Sequence, residues 1–273
     1  MNKSKILYTY FFLFTMLFVM LGCEWKLRPG EEETNGGSFE VQRYDRLQSL
    51  YLQTGDFSAL QQMNTTYPIE TRTLIEKVLQ LGSVDDPEIN HKFLVFYQDT
   101  TLQTVISDAE TQYANMDDLN QQFNFAFDKL KTFLPDFEVP TVYAQIGALD
   151  QSIVVGNNTV GVSLDKYLGE DYQLYKRFYS DQQRQSMTRE YIVPDCLVFY
   201  LISLYPLNNF ESRTQTERDL HMAKMMFVVN SVLQKKILLS PYVLTVEKFM
   251  HKHPQTTMEK LLKEDNLVEM SKL

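Results

Sequence analysis

Between residues 116 and 134 the apolar side chains Leu119, Phe123, Phe127, Leu130 and Phe133 recur at spacings of three and four. That rhythm sets them on one face of an amphipathic helix. Asp117 or its neighbour supplies a cap at its start, and Pro135 stops its end. Comparable patterns predict helices over 45–53, 57–66, 69–82, 86–112 with a break, 172–184, 189–204, 214–237, 242–252 and 256–263. No repeat of fixed period runs through them, so a stacked helical solenoid is not expected.

The middle of the chain changes character. "VPTVYAQIG", "QSIVV" and "TVGVSLD" are short β-branched runs, with Gly156, Asn157 and Asn158 between the last two. They predict a small sheet containing a hairpin. "SFEVQRYD", from residue 38, alternates apolar and polar positions and predicts a further short strand. The expected fold is α+β and predominantly helical, with a small sheet in the middle of the chain and one domain over 38–273.

The first residues follow a different logic. Lys3 and Lys5 precede the apolar run "ILYTYFFLFTMLFVML", which ends at "MLGC". A basic head, an apolar run and a small residue form a secretory signal, here over 1–22. Gly22 before Cys23 resembles a bacterial lipobox, although Met20 stands where Leu is usual. An uncleaved membrane anchor is the alternative, since the run is barely long enough to span a bilayer. The small-residue–Cys pair favours a lipoprotein, with Cys23 as the site of lipid attachment. Two or more acyl chains there, at about 0.8 kcal/mol per buried CH₂, give lasting membrane attachment. "EWKLRPGEEETNGG" then reads as a tether, so 23–37 is the lipidated cysteine and a flexible linker.

Composition narrows the functions. Apolar residues make up 44% of 273 and charged residues 22%, enough for a real core and too few charges for wholesale disorder. The formal charge is −9, and removing Lys3 and Lys5 with the signal makes it about −11. A field of that sign repels phosphate backbones, so no nucleic acid partner is expected. The cysteines are Cys23 and Cys196. With the first acylated, no internal disulfide is possible.

Candidate chemistry is sparse. The histidines are His91, His221, His251 and His253, and none stands in a His-Glu-x-x-His arrangement, which sets two ring nitrogens on one ion. Glu88 with His91, Glu217 with His221, and Glu247 with His251 lie at helical reach and predict solvated acid–imidazole pairs. An irregular set drawn from Glu88, His91, Glu217, His221 and Asp195 would be the alternative, a metal-dependent hydrolase. "GNNTVGVS" has Val162 where a phosphate-binding loop needs lysine, and "GVSLD" lacks the final glycine of a nucleophile elbow. Ser163 or Asp165 is expected to cap a short helix ending at Gly169. Tyr172, Tyr175, Phe178 and Tyr179 share about one helix face; core packing is the default and a glycan- or peptide-stacking platform the alternative. Asp195 follows Pro194 in a first helical turn, where an acid meets the positive helix end. Cys196 has no nearby histidine and reads as a small hydrophobe.

Three blocks together, "SFEVQRYDRLQSLYL", "VSLDKYLGEDYQLYKRFYSDQQRQSMTREYIVPDCL" and "VEKFMHKHPQTTMEKLLKEDNLVEMSKL", resemble the gliding-motility lipoprotein B (GldB) family of Bacteroidetes. "LDKYLG" and "YIVPD" are the most specific parts, and the stretch from Phe210 to Ser240 looks shortened. The resemblance implies a palmitoylated, membrane-anchored cell-envelope lipoprotein facing the periplasm. It also implies envelope protein partners tied to gliding motility or secretion. Family members look distantly like zinc proteases, so a degenerate zincin-like scaffold is implied, with "YIVPDCLVFYL" where the metal helix would stand. No catalytic, cofactor-binding or metal-binding residue is assigned, and a non-enzymatic role is expected.

Overall fold

A computed structural model describes residues 39–272. The predicted signal, the lipid-bearing Cys23 and the tether lie outside the described residues. The described chain opens with Tyr44–Thr54 (α1), Phe57–Thr66 (α2) and Pro68–Thr73 (α3), the last running into a π turn at Leu74–Val78. Ile89–Phe96 (α4) and Thr100–Gln112 (α5) follow. The predicted break between them is Asp99, whose carboxylate accepts from the N–H groups of Thr101 and Leu102 and starts α5 afresh. Asp117–Phe133 (α6) buries Leu119, Phe123, Phe127 and Leu130, the face its spacing predicts.

The sheet comprises Thr141–Gln145 (β1), Ile153–Gly156 (β2) and Thr159–Ser163 (β3), in the order β1-β3-β2. β2 and β3 form the expected antiparallel hairpin, with Asn158 in the left-handed region. β1 pairs with β3 in parallel, Tyr143 opposite Gly161. A Cβ at Gly161 would lie 2.4 Å from the Tyr143 ring, so this strand position needs glycine. The expected strand at 38–45 reduces to a single bridge between Gln42 and Tyr143. Its ladder is replaced by side chains of α6: the N–H groups of Phe39 and Val41 donate to Asn124 and Asn120.

Beyond the sheet come Tyr175–Phe178 (α7), Asp181–Arg184 (α8), Ile192–Leu204 (α9), Gln215–Leu233 (α10), Pro241–Lys252 (α11) and Met258–Lys263 (α12). The single helix expected over 172–184 is broken because Ser180 and Gln183 form a capping box that begins α8. α10 stops at left-handed Gln234, short of the expected 237. The Asn230 side chain takes over there, accepting from the N–H groups of Ile237 and Leu238. α9 packs across β2 and β3, and α10 packs on α9, so sheet and helices share one core. Among the described residues, no helix is long and apolar enough to cross a membrane.

Candidate functional site

Because β1 and β3 run parallel, the loop after β1 and the turn after β3 meet at one end of the sheet. Two aspartates organise that end. Asp165 is fully buried and accepts from the N–H groups of Gly147 at 2.7 Å and Leu149 at 2.5 Å. Ala148 and Leu149 are both left-handed, which curls the loop around the carboxylate. Burial pushes the Asp165 carboxyl up, against those two hydrogen bonds. Tyr175 donates its hydroxyl to the Asp165 carbonyl and accepts from the Leu168 N–H.

The same loop is gripped from other sides. Gln48 of α1 accepts from the Ile146 N–H at 2.8 Å and donates to its carbonyl at 2.7 Å, acting like a neighbouring strand. Tyr97 donates to the same carbonyl. The Lys166 ammonium reaches the Leu149 carbonyl and the Tyr179 hydroxyl, and lies 4.5 Å from the Tyr179 ring centre. Gly147 is required here, since a Cβ would fall 2.5 Å from the Ser163 hydroxyl.

Asp195, half-buried in the first turn of α9 as expected, receives the Tyr167 hydroxyl at 2.8 Å. Burial pushes its carboxyl up to about 6, and the Tyr167 hydrogen bond opposes that shift. Tyr167 is itself fixed, its carbonyl accepting from the Tyr113 hydroxyl at 2.5 Å and from Gln112. Cys196 is buried, and burial together with the neighbouring Asp195 charge pushes its thiol well up. A thiol so placed is not a nucleophile. The site therefore offers one half-buried acid, its carboxyl pushed up to about 6, beside a hydrogen-bonded polar frame.

Several expectations are corrected. Ser163 and Asp165 cap no helix: Asp165 holds the 147–149 loop, and Ser163 accepts from Gln145. The pair Glu217–His221 is not solvated, because Glu217 turns to Arg213 and Thr214 while His221 is buried away from it. Glu247 is taken by Lys236, leaving His251 exposed, and His253 meets Glu269. Among the described residues no three His, Cys, Asp or Glu side chains converge to hold a metal ion. Glu88 and His91 stand exposed at the start of α4, so the irregular hydrolase set is not assembled. On α9, the position one turn beyond Asp195 is Phe199, which offers no second ligand. The aromatic platform, the alternative to core packing, is not formed: Tyr172 and Tyr179 pack against the core. Tyr175 is fully buried and meets Tyr172 and Tyr179 edge-on, at interplanar angles of 70° and 87°; Phe178 is exposed, with the Arg177 guanidinium 5.6 Å from its ring centre.

The geometry defines a mainly helical α+β protein with a small mixed sheet and a polar lock at its end. The sequence model of the family described as gliding motility protein GldB matches residues 28–237. The chain belongs to that family. The match contains the whole polar lock, with Asp165 and Asp195, and ends in the turn after α10. The closing block of the resemblance, on α11 and α12, lies beyond it. Comparisons with curated proteins and with solved structures return no match.

Proposed function

We propose that the chain is a cell-envelope lipoprotein held to a membrane by a diacylglycerol on Cys23, with its domain in the periplasm. It acts through protein partners of the gliding or secretion machinery and catalyses no reaction. The observation that carries this reading is the family match over residues 28–237, which begins five residues after Cys23. The basic head, apolar run and Gly22–Cys23 pair support the lipid anchor. The non-catalytic part is supported by where the candidate groups are spent. Asp165, Glu217 and Glu247 each serve a structural bond, and Cys196 is buried as a thiol.

Two measurements test it. In cells fed an alkyne-tagged palmitate, the wild-type chain is expected to take up the label and Cys23→Ala to take up none. Label retained in Cys23→Ala, or absent from the wild type, defeats the anchor. For the second, the metal content of the full chain, purified without a histidine tag, is expected to be far below stoichiometric. Roughly one equivalent of zinc, lost on His221→Ala or His91→Ala, would overturn the non-enzymatic reading.

A further inference from the structure

His221 lies in the second turn of α10, 6% exposed; among the described residues neither ring nitrogen makes a well-formed hydrogen bond, although the Tyr205 carbonyl lies beside the ring. Lys224, three residues on and fully buried, donates its ammonium to the carbonyls of Leu262 and Glu264 at the end of α12. Lys224 thereby ties α10 to the segment after α12, residues 264–272, and Asp265 of that segment lies near the His221 ring. Further contacts hold that segment. Asp265 accepts from Arg213 at 2.7 Å and from Asn208 at 3.2 Å, and Glu269 meets His253 at 3.0 Å. Buried Leu267 and Met270 anchor it among α10 and α11.

The charges around His221 come from every side. Lys224 stands on its own helix and Arg213 in the segment before it; Asp265 faces it from residues 264–272 and the Tyr205 carbonyl from the end of α9. The two cations and burial oppose a proton on the ring, while Asp265 and the carbonyl favour one. Asp265 is already engaged by Arg213, so its help is divided. Burial and the cations prevail, and the imidazole is pushed down to about 4. Lys224 is likewise pushed down, to about 8, chiefly by burial.

We propose that His221 is a proton-sensitive catch: protonating it frees residues 264–272 from α10 while the rest of the fold stays in place. A proton there creates a third cation beside Lys224 and Arg213, and the Tyr205 carbonyl can accept from one of its two N–H groups but not from both. A buried charge of that kind is relieved by local opening, which admits water. Lys224 gives up two carbonyls in the opening and gains solvation in exchange. His253 works against release, since its proton strengthens the contact to Glu269. Protonating Asp265 would work with release by freeing Arg213, so the experiment must isolate His221.

Hydrogen exchange of the full chain, followed by mass spectrometry and corrected for intrinsic exchange at each pH, does so. With the ring at about 4 in the closed form and at its ordinary 6.5 in the open form, opening at pH 5 is about 30-fold more frequent than at pH 7.5. Peptides covering 264–272 are therefore expected to lose about 30-fold in protection over that interval, while α6 peptides keep theirs. His221→Leu cannot take the proton, and its 264–272 peptides are expected to hold constant protection. An equal loss in His221→Leu, or no loss in the wild type, overturns the proposal. Should His221→Leu not fold, His221→Gln, which is uncharged at both pH values, takes its place, and its 264–272 peptides are expected to hold constant protection. A loss of protection in His221→Gln equal to that of the wild type overturns the proposal.

Discussion

Asp165→Asn is expected to lower the unfolding free energy at pH 7 by about 2–3 kcal/mol, because one buried N–H of the 147–149 loop is left without an acceptor. The carboxylate serves Gly147 with one oxygen and Leu149 with the other. An amide has one oxygen, and its NH₂ must then point at the second N–H, donor against donor. Part of the loss is returned, since burial already disfavours the Asp165 charge and the amide removes it. The return is partial because the loop itself is strained. Ala148 and Leu149 both adopt left-handed backbone, which costs about 1 kcal/mol or more per residue when nothing holds it. Urea unfolding at pH 7 reads the effect as a lowered midpoint. A change below about 0.5 kcal/mol, within the range of ordinary surface substitutions, would show that Gln48, Tyr97 and Lys166 hold the loop without Asp165.

That outcome bears on how much of the site the sequence reveals. The helices are readable because their signals are local. The α6 face follows from spacing, and the α8 start lies in Ser180 and Gln183 three residues apart. The β2–β3 hairpin is likewise announced by Gly156, Asn157 and Asn158. Asp165 is different. Its partners are backbone N–H groups sixteen and eighteen residues upstream, and nothing in side-chain pattern marks a backbone donor. Its position just after a strand invites the capping reading, which the structure replaces. The parallel pairing of β1 with β3 is what brings the two segments together, and strand direction is not written in a five-residue run. The 38–45 segment fails as a strand for the complementary reason. Its alternation is real, but Asn120 and Asn124 on a helix some eighty residues away supply the bonds a ladder would have made. His221 looked like one half of a surface pair; only the fold shows that Arg213 draws Glu217 away.

The second aspartate of the site is expected to respond in the opposite sense. Asp195→Asn should raise the unfolding free energy by about 1–2 kcal/mol at pH 8, and the gain should shrink to nothing near pH 4. Burial lifts the Asp195 carboxyl to about 6 in the folded chain, against 3.8 for the ordinary group. Between those values the folded state holds the proton more tightly than the unfolded state does. The group's stabilising contribution is thus complete below 3.8 and is lost as pH rises through 6, leaving a charged, half-buried carboxylate against the Tyr167 hydroxyl. The full shift corresponds to about 3 kcal/mol, reduced here because the side chain still reaches solvent. Asn keeps an oxygen for the Tyr167 hydroxyl and carries no charge, so its advantage grows with pH. Other titrating groups, His221 included, affect both proteins alike, and the wild-type-minus-variant difference isolates Asp195. Urea midpoints at pH 4, 6 and 8 measure it. An Asn variant less stable than wild type at pH 8 would mean that the Tyr167 bond outweighs burial and that Asp195 belongs to the frame. The expected gain means instead that the acid costs the fold stability, which makes Asp195→Asn the first variant to carry into partner-binding assays.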